Sequence, residues 1–391
     1  MISKEVQYQS SKVARKSSIF QPTDGGIQEI HSLFTPIQDK AVPCCEGENA
    51  FENQLRRLKE AFAEWQQEKN SDGSTLFLRF FISDAANQTA FIKEEDFCHC
   101  AISIVQQPPL ITSTKIILWC YDIIGQTCIS KGPFHAIEHN GYTHYWIGDQ
   151  SIAEGDSESQ THQLLQNYQS ALQKEGVDFA NDCIRTWFFV QNIDVNYQGV
   201  VIGRRDNFTN VGLTPQTHYI ASTGIEGRCA DPAAQVLFNA YAVKGLKEKQ
   251  QQYLHAKEYL NPTYEYGVTF ERGVRVKYGD RDHLYISGTA SINNKGEVLY
   301  ERDIEKQTIR MIENVKALLE EGEATIADTV VAIIYLRDYA DYELVSKIFS
   351  SSEFSSIPKV FVMASVCRPS WLIEMECIAI SEHVDNYFDK F

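Results

Sequence analysis

The chain has 391 residues and 43% apolar side chains, enough for two domains of ordinary size with real cores. Its net charge of −16 at pH 7 argues against a nucleic-acid surface, which needs clustered Lys and Arg residues. We find no apolar run of the roughly 18 residues that a membrane helix needs, and no apolar stretch typical of a signal peptide. Ten scattered cysteines without a disulfide-framework spacing favour a reduced, cytoplasmic protein.

The pattern closest to a metal site consists of Cys98, His99 and Cys100, with Cys44 and Cys45 further upstream. Neither group has the C-x-x-C spacing of zinc sites. Small buried thiols on strands are therefore the expectation. We predict no metal and no cofactor.

In chain order, residues 1–48 are polar, contain Pro and Gly, and predict an irregular arm. Residues 49–69 place Phe51, Leu55 and Leu58 at spacings of four and three, which is typical of an amphipathic helix. The next predicted elements are strands at 76–83, 100–105, 115–123 and 143–149, a helix at 158–175 and a strand at 183–193.

A loop at 201–215 and a segment at 217–227 precede a strand at 235–243, and the charged, Gln-rich residues 244–262 predict a connector between two domains. After it we predict strands at 267–276 and 283–292, a helix at 303–321, a strand at 329–338, a short helix near 341–350, and strands at 359–367 and 371–380. Each half contains strands alternating with helices, which predicts an α+β fold with helices on one face of a mixed sheet.

The two halves repeat one pattern. QTHQLLQNYQSALQKEG, from Gln160, matches QTIRMIENVKALLEEGE, from Gln307, at an offset of 147 (307 − 160). A repeat of this length predicts two tandem copies of one domain fold rather than a solenoid. The predicted organisation is an N-terminal arm and helix at 1–72, a first domain at 73–245, a connector at 246–264 and a second domain at 265–391, which carries the site.

Two carboxylates near the end of the second copy are the strongest candidates for catalysis. Glu374 and Glu376 lie two residues apart on a predicted strand, so both point to the same face. Two unpaired charges in a core are very costly, which predicts either a cleft or paired acids. The first copy has Leu237 and Asn239 at these positions, so a site that uses the acids belongs to the second domain. One carboxylate of raised pKa can serve as general acid and base.

Five short stretches of the second copy occur in a recognisable order. They are SGT at 287–289, DIEKQT at 303–308, Asn314, YLRD at 335–338 and LIEMECIAI at 372–380. Across residues 265–381 these stretches resemble the RidA/YjgF family of small imine deaminases, also called endoribonuclease L-PSP. The resemblance implies layered α+β domains that form a trimer, with sites in the clefts between neighbouring domains.

The two-copy arrangement further resembles the chorismatases, in which a degenerate RidA-like domain precedes an active one. The supporting residues are IRTWFFVQNID at 184–194, GRRDNF at 203–208 and LYISGTASI at 284–292. This resemblance implies two RidA/chorismate-mutase-like α+β domains in tandem. Because two copies do not close a threefold ring, it also implies a homo-oligomer, with a trimer as the expected state.

The resemblance assigns roles to Glu374 and Gly288 of the second copy. The family's catalytic glutamate falls on Glu374, and Glu376 is its predicted neighbour in the site. The backbone of Gly288, beside Thr289, faces the substrate in the family. A glycine at this place either permits close approach of backbone to ligand or marks a β-bulge.

The family's carboxylate-binding arginine falls near Lys359, where this chain has no arginine. Lys359, Arg368 and Arg272 are therefore the candidates for holding a substrate carboxylate. The two arginines are equally candidates for a plain ion pair with the acids. Ser222 and Thr223 of the first copy are predicted to line the same cleft. Further candidates from the first copy are Arg204, Arg205 and Asn207.

The predicted function is a metal-free hydrolase or lyase acting on a small anionic metabolite. Hydrolysis of an enolpyruvyl ether with release of pyruvate, as in a chorismatase, suits Glu374 as the acid and base. One alternative is an enamine or imine deaminase of the RidA type, and another is a non-catalytic protein that binds a small molecule. A ribonuclease, a label attached to the family, is disfavoured by the net charge of −16.

Overall fold

The computed structural model describes residues 1–23, 25–37, 48–69 and 73–391, so Cys44 and Cys45 lie outside the described residues. The described part contains three sheets of six strands each. The first unit comprises β1 (Ile2–Tyr8), β2 (Val13–Phe20), β3 (Gln28–Pro36), α1 (Ala50–Glu68), β4 (Gly73–Ile82), α2 (Ala85–Glu94), β5 (Ala101–Gln106) and β6 (Ile116–Ile124).

The second and third units follow without a long break. The second comprises β7 (Ile129–Lys131), β8 (Phe134–His139), β9 (Tyr142–Ser151), α3 (Ser157–Lys174), α4 (Phe179–Asp182), β10 (Cys183–Val190), α5 (Ile193–Asn210), β11 (Ala221–Glu226) and β12 (Val236–Lys244). The third comprises β13 (Gln251–Leu254), β14 (Gly273–Lys277), β15 (Arg281–Ala290), α6 (Ile304–Glu321), β16 (Thr329–Leu336), α7 (Tyr342–Ser350), β17 (Lys359–Met363) and β18 (Ile373–Glu382).

The three sheets have one topology. Their strand orders are β1-β2-β3-β6-β4-β5, β7-β8-β9-β12-β10-β11 and β13-β14-β15-β18-β16-β17. In each, three antiparallel strands lead to a long helix, the last strand returns to the centre of the sheet, and one edge pair is parallel. The α+β fold class predicted from the sequence is confirmed.

The sequence reveals two of these copies, and the structure contains three. The region predicted as an irregular arm, residues 1–48, supplies β1 to β3 of the first sheet. These strands are hard to recognise because buried hydroxyls occupy inward positions: Ser17 and Ser32 lie opposite each other, and their hydroxyl oxygens are 2.8 Å apart. Apolar alternation, the usual signal of a half-buried strand, is thereby interrupted.

The predicted loop at 201–215 is largely helix, because α5 runs from Ile193 to Asn210. Gly203, which favours a loop in the sequence, allows α5 to pack closely on α3. A Cβ atom at this position would lie 2.8 Å from the carbonyl oxygen of Glu158. The predicted connector at 246–264 also contains an element of the fold, since β13 is the edge strand of the third sheet.

The inner faces of the three sheets pack against each other, and the long helices cover the outer faces. Phe77 of the first unit stacks on Trp187 of the second, with ring centroids 6.4 Å apart. Isolated bridges join each pair of units: Gln106 with Arg228, Ala221 with Glu271, and Pro109 with Val362. Among the described residues, no helix is long and apolar enough to cross a membrane.

Candidate functional site

A cavity of about 420 Å³ lies between the second and third units. Helix α5 and strand β11 form its wall on the second unit, and the segments around β14, β15 and β18 form its wall on the third. The lining residues are Tyr197, Gln198, Val201, Arg204, Arg205, Ser222, Gly224, Gly267, Val268, Phe270, Arg272, Gly288, Ala290, Ile292, Cys367, Arg368, Trp371 and Glu374.

Glu374 is the carboxylic acid of this cavity. It lies on the central strand β18 and is only 5% exposed. Burial raises the pKa of its carboxyl group from 4.5 to about 8, and the negative charge of Glu376 contributes to the same shift. Glu374 is therefore protonated at neutral pH and can donate a proton inside the cavity.

Gly288 determines where the carboxyl group of Glu374 can lie. The pairing of β15 with β18 shifts between Ile286 and Thr289, so Gly288 sits in a bulge beside Glu374. A Cβ atom at Gly288 would collide with Oε1 of Glu374 and lie 2.9 Å from its Cδ. The glycine leaves room for the acid on the cavity wall.

Gly288→Ala is therefore expected to displace the carboxyl group of Glu374 and to lower turnover by about a hundredfold. The rate of product formation, measured beside the melting temperature, tests this. An unchanged rate in a folded variant would show that the position of Glu374 does not matter.

Glu376 lies outside this cavity, although it shares a strand face with Glu374. Its carboxylate accepts hydrogen bonds from Arg185 Nη2 at 2.6 Å, from Trp187 Nε1 at 3.0 Å and from the hydroxyl of Thr223. Arg79 of the first unit lies 3.6 Å away. Glu376 therefore has the ion pair that the sequence suggested as an alternative, but its arginines are Arg185 and Arg79 rather than Arg368 or Arg272.

Four arginines line the cavity around Glu374, and each is held differently. Arg204 is 1% exposed and donates from Nε to Thr269 Oγ1 at 3.2 Å, while its Nη2 has no hydrogen-bond partner among the described residues. Arg272 donates to both Asn261 oxygens. Buried donors of this kind normally have partners, so Arg204 is poised to bind an anion.

The other two arginines lie nearer the mouth of the cavity. The guanidinium of Arg368 lies over the ring of Trp371, with 5.2 Å between the guanidinium carbon and the ring centroid. Arg205 is half exposed and donates to Asp206 at 3.0 Å. Arg204, Arg205, Arg272 and Arg368 were all named from the sequence, and the structure brings them together around Glu374.

Several predicted site residues lie elsewhere. Lys359 donates to the carbonyl oxygens of Phe354 and Ser355 and does not line the cavity. The hydroxyl of Thr289 donates to the carbonyl oxygen of Ser287. Asn207 accepts a hydrogen bond from Gln169. These side chains have local structural partners, which a strand or helix pattern does not reveal.

Ser222 and Thr223 lie on β11, next to the cavity, and support it differently. Ser222 lines the cavity and lies 3.5 Å from Arg204 Nη1. Thr223 faces inward, where its hydroxyl accepts the backbone N–H of Gly288 at 2.9 Å and donates to Glu376. Thr223 therefore joins the second unit to the bulge that accommodates Glu374.

Apolar side chains of the cavity were not predicted from the sequence. Val201, Val268, Phe270 and Trp371 form a wall that can pack against the body of a small molecule. Only the spacing of Val201 along α5 signals a buried face in the sequence, and the prediction of a loop at 201–215 hides it. Burial raises the pKa of Cys367 to about 12, so its thiol stays protonated and unreactive.

The described residues contain no group of three or more His, Cys, Asp or Glu side chains able to hold a metal ion. The Cys98 and Cys100 sulfurs are 3.3 Å apart and hydrogen-bonded. His99 lies beside Ser130 rather than the two sulfurs, with 3.0 Å between Nε2 and the hydroxyl oxygen.

The acidic pair is confined to the third unit. In each sheet, a bulge interrupts the pairing of the last strand with its neighbour, which is β4, β10 or β16. The first residue pairs after these bulges are Phe77 with Tyr121, Arg185 with Tyr241, and Val331 with Ile378. Counting back from these bulges aligns Glu374 with Leu237 and Ile117, and Glu376 with Asn239 and Trp119. At both of these positions, only the third unit has a carboxylic acid.

The arrangement of the units corresponds to a known fold. A crystal structure of a chorismatase matches with a TM-score of 0.62 and 15% sequence identity, covering 93% of this chain and 99% of that one. The molecule is thus a protein of three fused α+β units with the fold of that chorismatase. The tandem resemblance predicted this fold, but with two units instead of three.

Sequence comparison shows the family to which the third unit is similar. The family model described as Endoribonuclease L-PSP matches residues 271–381. A RutC family protein of Saccharolobus solfataricus is 36% identical over 112 residues, which cover 28% of this chain and 85% of that protein. A RutC family protein of Pyrococcus abyssi is 36% identical over 100 residues, or 25% of this chain and 79% of that protein. The chain belongs to this RidA/YjgF family of endoribonuclease L-PSP-like proteins.

Proposed function

We propose that the protein is a hydrolase or lyase that acts on a small anionic metabolite in the cavity between the second and third units. The observation that carries the proposal is a buried carboxylic acid, Glu374, kept protonated in the same cavity as four arginines. The acid can deliver a proton, and the arginines can hold a carboxylate with paired hydrogen bonds.

Hydrolysis of an enolpyruvyl ether fits these groups. Glu374 gives its proton to the methylene carbon of the vinyl ether, and the positive charge formed on the ether carbon is attacked by water. The water returns a proton to the Glu374 carboxylate, which gives a hemiketal. The hemiketal then breaks its bond to the alcohol oxygen, and the proton of its hydroxyl group passes to that oxygen. The products are pyruvate and the free alcohol, and Glu374 is again protonated.

The arginines contribute binding and orientation. Arg204 has a buried donor available for a substrate carboxylate, and Arg272 and Arg368 lie on the opposite wall. A guanidinium matches a carboxylate with two parallel hydrogen bonds, which fixes direction as well as charge. The apolar wall excludes water from the rest of the substrate, which strengthens each of these contacts.

Incubation of the purified protein with chorismate, followed by chromatography of the products, tests the proposal. Release of pyruvate and the matching alcohol would support it. Chorismate left unchanged would eliminate this substrate. Release of ammonia from an imine substrate would instead favour the deaminase alternative, which the match of the third unit to RutC family proteins supports. Saturable ligand binding without any product would identify a binding protein.

The pH dependence of turnover should reveal the acid. Because Glu374 must be protonated to act, we expect kcat/KM to fall about tenfold per pH unit once the pH exceeds the pKa of about 8. An ordinary glutamic acid would lose its proton near pH 4.5. A pH profile of pyruvate release measures this. A fall in kcat/KM that begins below pH 6 as the pH rises would contradict the assignment of Glu374.

The number of chains per molecule is a separate prediction. A homotrimer was expected because two copies cannot close a threefold ring, but three units in one chain contact each other pairwise. A trimer of chains is therefore not needed to close a ring of three units. We expect light scattering to give the mass of one chain, 44.5 kDa, whereas three times that mass would restore the prediction made from the sequence.

A further inference from the structure

A second cavity, of about 450 Å³, lies where the three units meet. Gln106 of the first unit, Glu226 and Arg228 of the second and Met363 of the third are among its lining residues. Among the described residues, it shares no lining side chain with the cavity of Glu374. It is therefore a separate compartment, large enough for a small metabolite.

Arg228 is the group of this junction cavity that suits an anion. Arg228 donates from Nε to Gln106 Oε1 at 3.0 Å, which fixes the plane of the guanidinium and leaves its terminal N–H groups for a ligand. Asn192, the residue before helix α5, also lines the cavity, and its side chain makes no cap hydrogen bond. Asp194 in the first turn of α5 pairs with Arg337 at 2.7 Å, so Arg228 supplies the positive charge for a ligand.

Glu226, two residues before Arg228 in the chain, suits a cation. Glu226 accepts the backbone N–H of Ser365 through Oε2 at 3.1 Å, and a carboxylate has capacity for further donors. Gln191 also lines the cavity, and its Oε1 is buried without a hydrogen-bond partner in the part of the chain that the structure describes. A buried acceptor without a donor is costly, so a ligand that donates hydrogen bonds here is favoured.

We propose that the junction cavity binds a small zwitterion of the amino-acid type, with its carboxylate at Arg228 and its ammonium group at Glu226 and Gln191. Opposite charges in one cavity select a molecule that carries both. The side chain of the ligand would lie against Met363 and Ala364, the apolar residues that the third unit contributes.

Isothermal titration calorimetry with the standard amino acids, each alone, tests this. We expect at least one to bind saturably at one site per chain. Acetate and methylammonium, which carry one charge each, should bind far more weakly. Arg228→Gln and Glu226→Gln should each weaken binding by about tenfold or more, because each removes one charge-assisted contact. The Glu226→Gln variant can still accept the N–H of Ser365 through its amide oxygen, so it keeps the fold contact.

Variants of the other cavity are the matched controls. Arg205→Gln and Glu374→Gln should leave amino-acid binding unchanged. Should Arg228→Gln fail to fold, Arg228→Lys keeps the charge without the planar fork and should bind more weakly than wild type. The proposal is overturned if no amino acid binds saturably, if binding survives both charge-removing variants, or if Glu374→Gln abolishes it.

Discussion

Glu374→Gln should lower turnover by about 10²- to 10⁴-fold, because an amide of the same shape has no proton to give. Substrate affinity should change little, since the arginines that hold the carboxylate are untouched. Steady-state rates of pyruvate release from chorismate give both parameters. A loss of kcat with KM retained would identify Glu374 as the group that acts in the transition state.

Glu382→Gln is the matched control for this experiment. It makes the same chemical change on the same strand, β18, but at an exposed end outside the cavity. Its rate should equal that of the wild type. Equal rates for Glu374→Gln and Glu382→Gln would remove Glu374 from the mechanism and, with it, the hydrolase proposal.

The repeat was readable from the sequence because its residues have the same structural task in each copy. Gln160 accepts the backbone N–H of Val236 at the start of β12, and Gln307 accepts that of Leu372 just before β18. The first unit has an equivalent: Gln54 on α1 accepts the N–H of Lys115, just before β6. In each unit, one glutamine ties the long helix to the last strand.

The first unit is not recognisable as a third copy in the sequence, because its distance from the second unit differs from the distance between the second and third units. Gln54 and Gln160 are separated by 106 residues (160 − 54), whereas Gln160 and Gln307 are separated by 147. Loop lengths therefore obscure the repeat, although the strand order is identical. Loops tolerate insertions at small energetic cost, so a conserved fold need not keep a fixed period.

The candidate site was predictable only in part, for a reason seen in Glu374 and Glu376. Strand periodicity places both acids on one face, and the alignment of copies assigns them to one domain. Which of them is paired depends on Arg185 and Arg79, which come from the other two units. The register between units is set by packing of the sheets and leaves no periodic signal in the sequence.

Glu376→Gln should cause one of the largest losses of stability, about 3–5 kcal/mol in the free energy of unfolding. The carboxylate is 4% exposed and lies between two fully buried guanidinium groups, those of Arg185 and Arg79. Burial already lowers the pKa of Arg79 to about 10, and Glu376 is the largest influence that opposes this shift. Without the negative charge, two like charges remain in the core with nothing to neutralise them.

Urea unfolding of Glu376→Gln and Glu374→Gln, compared at neutral pH, isolates the effect of charge. Glu374 is already neutral there because its pKa is about 8, so its conversion to Gln should cost less than about 1 kcal/mol. Replacing Glu with Gln should thus remove activity at position 374 and stability at position 376. Equal free energies of unfolding would show that the ion pairs of Glu376 do not stabilise the fold.

Adding Arg79→Met to the Glu376→Gln variant tests the cause directly. The second substitution removes one of the two buried cations and leaves an unbranched apolar side chain among Phe77, Trp119 and Trp187, on which the guanidinium lies. If uncompensated charge is the origin of the loss, the double variant should be more stable than Glu376→Gln alone, because replacing buried ionic groups with apolar ones is often neutral or favourable. A further loss would mean instead that Arg79 stabilises the core through its contacts with the aromatic rings, independently of Glu376.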